Sequence, residues 1–230
     1  GLHAAAGAAE LPRRLAVLVV GIRERLYFQT TLRHVVTPAV RAGYEVDYYM
    51  ALNWEPSGQM SMHPWSQHWL GGGPNPETSN LTVAALRDKV IRAAVHYGAR
   101  RARMLLFEQV SIASPPNASR KRLFGRQTFN HVAVTNVLKR LRQTEALWGL
   151  VLADTEGVAE YYDRVLLTRD DIFWVDDLKL ERFPDPARSR EVVYSSDAMG
   201  LCAKPAGLPG DRAMLTTGWA ADRWLRRLYR

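Results

Sequence analysis

Asp170 and Asp171 stand side by side directly behind Arg169, at the end of an apolar, β-branched run from Val165 to Thr168. Such a run reads as a buried strand, and a second apolar patch, Ile172 to Val175, follows it. Two neighbouring carboxylates in a partly buried place repel one another unless a cation lies between them or an arginine balances them. Hard divalent ions such as Mg²⁺ or Mn²⁺ take carboxylate oxygens and commonly share them with a substrate's phosphates. The stretch YYDRVLLTRDDIFWVDD, Tyr161 to Asp177, therefore points to a metal and diphosphate site at the carboxyl end of a strand, with Asp171 and Asp170 as ligands. A plain ion pair between Arg169 and either acid is the alternative.

The elements that must hold these acids alternate between strand and helix. Arg14 to Gly21, RLAVLVVG, has the continuous apolar character of a strand buried on both faces of a parallel sheet. Helical spacing follows from about Tyr27, through Leu32, Val35, Val36 and Ala39, with Pro38 disturbing the last turn and Gly43 ending it. Glu45 to Leu52 resumes as a strand, so the chain opens on a β-α-β unit and a parallel sheet. Gly21, Arg23 and Arg25 then lie after the first strand, where α/β sheets collect ligands. Neither GxGxxG nor GxxxxGK[ST] is present, which removes support for a dinucleotide enzyme or a P-loop NTPase.

Asn53 to Asn80 breaks the pattern with four prolines, four glycines and three tryptophans, and reads as a flap. Trp65 and Trp69 are its candidate stacking surfaces for a sugar or base, with simple packing onto the domain as the alternative. His63 and His68 match no helix-borne metal spacing. Beyond the flap come an amphipathic helix over Thr82 to Tyr97, a short strand Met104 to Phe107 and a polar loop Ser114 to Arg126. A long helix then runs from Thr128 to about Trp148, with a shorter one from Asp154 or Thr155 to Tyr162. After the acidic strand end, the periodicity predicts a surface connection, a strand at Glu191 to Ser196, a turn at Ala206 to Asp211, and a last helix buried through Ala221, Trp224, Leu225 and Leu228 with Thr217 as its cap. The expected fold is α/β, a three-layer α/β/α sandwich on a mostly parallel central sheet, with residues 1–12 as a linker and 13–230 as one domain.

Composition narrows the partners without choosing one. With 47% hydrophobic and 23% charged residues the chain can bury a large core, and its net charge of +8 favours anionic partners: nucleic acid, a membrane surface or phosphorylated small molecules. The cluster Arg100, Arg101 and Arg103 reads as a solvated face after a helix end. Cys202 is the single cysteine, which excludes an intrachain disulfide. The longest apolar run, Leu15 to Val20, is strand-sized, so no membrane span is expected. Asn80-Leu81-Thr82 and Asn117-Ala118-Ser119 match the glycosylation pattern, which arises by chance in many chains.

Together these pieces resemble a nucleotide-sugar-dependent glycosyltransferase of the GT-A fold, a Rossmann-related architecture. Tyr162-Asp163-Arg164-Val165-Leu166-Leu167-Thr168-Arg169-Asp170-Asp171 is similar to the "YD-apolar-apolar-RTRxD" pattern of some members, and Gly210-Asp211-Arg212-Ala213-Met214 resembles their "DRF" segment. The likeness is loose over most of the chain and close over about thirty residues. The acids depart from a regular DxD, since Arg169 precedes an adjacent pair. The resemblance implies a nucleotide-sugar donor bound by Gly21, Arg23, Arg169, Asp170 and Asp171, a divalent metal (Mn or Mg) on Asp171 and Asp170, and a glycan or other hydroxyl acceptor met by Trp65 and Trp69. It implies Asp211 as the catalytic carboxylate, with Asp197 and Glu108 as rivals, and no nucleic-acid partner. A soluble domain is expected, either the luminal part of a Golgi or ER protein or cytoplasmic. Two other classes compete: a basic nucleic-acid-binding protein, which lacks any recognisable module, and a metal-dependent phosphohydrolase, which needs carboxylates or histidines beyond this pair.

Overall fold

The computed structural model describes residues 12–23, 26–54, 75–107, 131–170, 172–188, 190–195 and 213–226, with the backbone alone at 76, 79 and 131–138. Asp171, Asp211, Trp65, Trp69, Glu108, Asp197, Arg25, His63, His68 and Cys202 all lie outside the described residues.

The fold is α/β, built on a mostly parallel six-stranded mixed sheet of order β3-β2-β1-β4-β6-β5. Strand β1 (Arg13–Ile22) pairs in parallel with β2 (Tyr44–Asn53) on one side and β4 (Arg164–Arg169) on the other, and β3 (Arg101–Phe107) extends the parallel set beyond β2. Strand β6 (Ala213–Thr216) is antiparallel to β4 and carries the two-residue β5 (Tyr194–Ser195) at the edge. From Leu15 to Val20 β1 is entirely buried, as a central strand with side chains packed on both faces must be.

Each face has its own core. Leu15, Val17 and Val19 of β1 meet Leu32, Val35 and Val36 of the helical segment 28–41 (α1) and Leu86, Val90 and Ala94 of a later helix (α3, Val83–His96). A short helical turn, α2 (Pro76–Ser79), precedes α3 in the chain. Ala16, Leu18 and Val20 turn the other way, toward Leu147, Trp148 and Val151 of the long helix α4 (His131–Asp154) and Ala221 and Leu225 of α5 (Gly218–Leu225). The period of two in β1 thus serves two helical layers at once.

Pro38 disturbs α1 and Gly43, with φ 82°, follows its end, both as expected. A π-helical turn, Leu32–Val36, precedes Pro38, with the Thr37 N–H reaching back to the Leu32 carbonyl, and α-helix continues to Arg41. Such a widened turn absorbs the residue that cannot donate. Other expectations need correction. The long helix runs on to Asp154 and breaks at Glu156 and Gly157, both with positive φ (53° and 82°), so only a 3₁₀ turn, Ala159–Tyr161, stands where a short helix was expected. The expected strand at Glu191 to Ser196 shrinks to Tyr194–Ser195. Trp224 is 45% exposed, while Ala221 and Leu225 alone of the expected set are described as buried. Val83 is 36% exposed, because Thr82 is the N-cap and the apolar stripe begins a turn later, at Leu86. Thr217 caps α5 as expected, accepting the Ala220 N–H at 3.2 Å.

Arg100, Arg101 and Arg103 are partly to largely exposed, as expected of a solvated face, but each is also held by an ion pair. Arg100 makes a two-point contact with Asp47 (3.0 and 2.5 Å), whose carboxylate is fully buried on β2 and also accepts the Tyr162 hydroxyl at 2.7 Å. Arg101 and Arg103 converge on Asp154 at the end of α4, each at 3.2 Å. Tyr49 joins the two groups, its hydroxyl 3.0 Å from that of Tyr162 and 3.4 Å from Asp154. Burial, first of all, raises the Tyr162 phenol far above its ordinary range, with the Tyr49 hydrogen bond adding to it. This network closes the amino end of the sheet.

Candidate functional site at the carboxyl end of the sheet

The four parallel strands deliver their carboxyl ends to one edge. In register, Ile22 of β1 lies opposite Asn53 of β2, and Asn53 opposite Phe107 of β3, while Val20 lies opposite Arg169 of β4. Chain order reverses between β1 and β4, because the chain leaves β1 for β2 on one side and returns to β4 on the other. A crevice at such a switch point is where open α/β sheets take ligands.

Gly21 and Asp170 interlock at this reversal. The Asp170 carboxylate is tucked so closely under β1 that a Cβ on Gly21 would sit 1.9 Å from its Cγ. Any side chain at position 21 displaces the acid, so glycine is required here for space. Asp170 is 1% exposed, and its Oδ2 accepts the Ile22 N–H at 3.0 Å. Its own N–H donates to the Val20 carbonyl (3.1 Å) and its carbonyl accepts from Tyr27 (2.9 Å), so one residue stitches the end of β4 to both sides of the loop after β1.

Around this stitch the loop is held from three directions. Gln143, buried on α4, donates to the Gly21 carbonyl at 3.3 Å. Asn75 donates to the Leu26 carbonyl (2.6 Å) while its Oδ1 caps the following turn at Glu77, and the Thr78 hydroxyl donates to the Arg23 carbonyl (3.1 Å). The Arg23 guanidinium lies over the Trp54 ring, 4.2 Å from its centroid, and the Trp54 N–H is fixed to the Phe107 carbonyl at 2.7 Å. A cation over an indole face is itself worth roughly 0.5–1 kcal/mol at an exposed site. Its larger effect here is to hold a half-buried arginine and a flat aromatic ring together at the ends of β1 and β2.

Of the expected site residues, Gly21, Arg23, Arg169 and Asp170 come together at this edge. Trp54, Asn53, Asn75, Thr78 and Gln143 join them without having been singled out. Asn53 and Trp54 follow β2 as Gly21 and Arg23 follow β1, so the rule applied to one strand end, extended to its neighbour, reaches them. Gln143 carries no such signal, being one polar residue in a charged helix. Among the described residues no group of three or more His, Cys, Asp or Glu side chains is placed to hold a metal ion. Asp170 alone brings one carboxylate with an oxygen already engaged by Ile22, which is short of the oxygen set that Mg²⁺ or Mn²⁺ requires, so a metal here depends on Asp171 and a ligand's phosphates.

No helix among the described residues is long and apolar enough to cross a membrane. No protein-family model matches the chain, and no curated protein is similar to it.

Proposed function

We propose that the chain is a nucleotide-sugar-dependent glycosyltransferase, with a GT-A-like three-layer arrangement, that transfers a sugar to the hydroxyl of a glycan or other acceptor. The observation that carries this reading is the interlock of Gly21 and Asp170 at the β1–β4 reversal, with Arg23 at the same edge. It sets a cramped, hydrogen-bonded floor at the crevice, with cationic side chains to meet a diphosphate. The Arg23–Trp54 pair offers a flat cationic platform for a base on the β2 side, and the diphosphate crosses toward β4.

In the transfer, the acceptor oxygen bonds to the anomeric carbon while the bond from that carbon to the diphosphate oxygen breaks. The nucleoside diphosphate leaves with the bonding electrons, so positive charge at its phosphates lowers the barrier. A divalent metal held at the Asp170–Asp171 pair supplies, when bound, part of that charge. Arg23 and Arg169 supply the rest. Asp170 keeps the β1 loop in place through Ile22, and in an inverting transfer Asp211 is the carboxylate proposed to take the acceptor's proton.

A thermal-shift screen of UDP- and GDP-sugars, with and without Mn²⁺, tests the reading. A nucleotide-sugar is expected to raise the melting temperature, and Asp171→Asn is expected to abolish the Mn²⁺-dependent part. No shift with any donor would end the proposal. Product analysis with acceptors present separates transfer from the phosphohydrolase alternative, which releases sugar or phosphate to water alone.

A further inference from the structure

Beyond β4, residues 172–178 form a strap tied along one face of α1, with Asp170 at the end of the strand. Asp170 accepts from Tyr27, the Trp174 N–H donates to the Thr30 hydroxyl (3.3 Å), and the Leu178 N–H donates to the His34 carbonyl (2.8 Å). His34 Nδ1 also lies 2.9 Å from Asp177 Oδ1. Anchors at 27, 30 and 34 follow the helical repeat, so the strap lies along a single stripe of the helix.

Its side chains alternate. Trp174 packs against the core, whereas Phe173 is 60% and Val175 81% exposed. A lone exposed apolar residue needs no explanation, but Phe173 is not lone. Its ring stands edge-on to that of Tyr27, centroids 6.2 Å apart at 75°, and Tyr27 is the residue whose N–H binds Asp170. An aromatic side chain is thus braced, largely open to solvent, three residues from the acid at the crevice floor. Exposed Asp176 and Asp177 lie on the same strap.

We infer that Phe173, braced by Tyr27, is a stacking platform for a neutral pyranose ring, and serves as the acceptor subsite of the crevice. A pyranose has an apolar face of C–H groups that an aromatic ring can cover, and hydroxyls that donate to carboxylates such as Asp176. The charge pattern separates the two substrates. The strand ends carry Arg23 and Arg169 and suit phosphates, while Asp176 and Asp177, farther along the strap, repel them and accept from a sugar. The assignment rests on the transferase reading only for the use made of the bound sugar.

The test compares the wild-type chain with Phe173→Leu, which keeps apolar bulk without an aromatic face, and Phe173→Trp, which keeps the face. Saturation-transfer NMR with methyl β-D-glucopyranoside, methyl β-D-galactopyranoside and methyl α-D-mannopyranoside reads the sugar, and the donor thermal shift is measured on the same samples. The wild type is expected to saturate ring protons of at least one pyranoside. Phe173→Trp is expected to retain that signal and Phe173→Leu to lose it at least fivefold, with melting temperatures within a degree or two of wild type. Equal signals in Phe173→Leu and wild type, or none in the wild type, overturn the inference. A Phe173→Leu variant that loses the nucleotide-sugar shift while keeping the pyranoside signal also overturns it, because the ring then belongs to the donor. Phe173-dependent pyranoside signals without any donor shift uphold the platform and sink the transferase reading instead.

Discussion

The two ends of the sheet are built on opposite principles. At the amino end, Asp47 and Asp154 are matched by arginines in and just before β3 and by the hydroxyls of Tyr49 on β2 and Tyr162 before β4. At the carboxyl end, the buried Asp170 accepts a backbone N–H from the loop after β1, and the Arg23 guanidinium lies over the Trp54 ring. A network of charges matched to one another is what structural electrostatics looks like. Hydrogen bonds spent on the loop at a strand-order reversal are what a binding edge looks like. Ion pairs alone do not mark a site, and the Asp47 and Asp154 network lies at the end of the sheet away from the reversal.

Breaking each end should therefore give different symptoms. The largest effect is expected for Asp47→Ala, which strands Arg100 and the Tyr162 hydroxyl and should cost about 3 kcal/mol of folding stability in urea titrations, the lower part of the range for a buried pair because Arg100 is partly exposed. Its donor thermal shift should persist, and loss of that shift would erase the distinction between the ends. Next, Gly21→Ala forces the Asp170 carboxylate out of its niche and should cost about 2 kcal/mol together with the ligand response. In a double-mutant cycle with Asp170→Ala the two losses should fall short of additive by about 1 kcal/mol or more. Strict additivity would show that the two residues do not share the space described.

A smaller, opposite change sharpens the comparison. Arg164 opens β4 at the amino end, is 1% exposed and donates Nη2 to the Pro184 carbonyl, but its Nε and Nη1 have no hydrogen-bond partner among the described residues. Arg164→Met should leave the fold intact and raise stability by about 1 kcal/mol, read as a shifted urea midpoint. The last effect is absent at neutral pH and appears only in alkali. Burial raises the Tyr162 phenol above its ordinary value, so its neutral form is favoured in the folded state. The stability this contributes is complete below pH about 10 and is lost as pH climbs toward the raised folded value, because the unfolded chain releases its proton first. Stability measured at pH 9, 10 and 11 should fall less steeply in Tyr162→Phe than in wild type, by up to about 1.4 kcal/mol per pH unit.

The contrast also explains which parts of the molecule could be read from residue order. Strand β1 was plain because a strand packed on both faces needs an unbroken apolar run, and the helix over Val83–His96 was plain because it is apolar on one stripe only. Strand β6 carried no such mark. Four residues at the sheet's far side, antiparallel to β4, follow a glycine-rich turn too closely to show a period. The ion pairs of the arginines at 100, 101 and 103 were not legible because their partners, Asp47 and Asp154, are about fifty residues away, and local charge cannot report a distant acid. Within the site, the strand-end rule reached Gly21, Arg23, Arg169 and Asp170, since it depends on position alone. It did not reach Gln143, whose role is set entirely by where a helix from the second half of the chain crosses the sheet.

Pro38 has a reach beyond its own helix. Lacking an N–H, it makes no claim on the His34 carbonyl four residues back, and Leu178 occupies that acceptor instead. The chain from β1 through α1, across that bond and back along the strap to β4 is thereby shut into a hoop, whose remaining side is the β1–β4 ladder. The strap that follows β4 is therefore pinned to the very helix that follows β1, and the two stretches of chain flanking the β1–β4 reversal are fastened to one another.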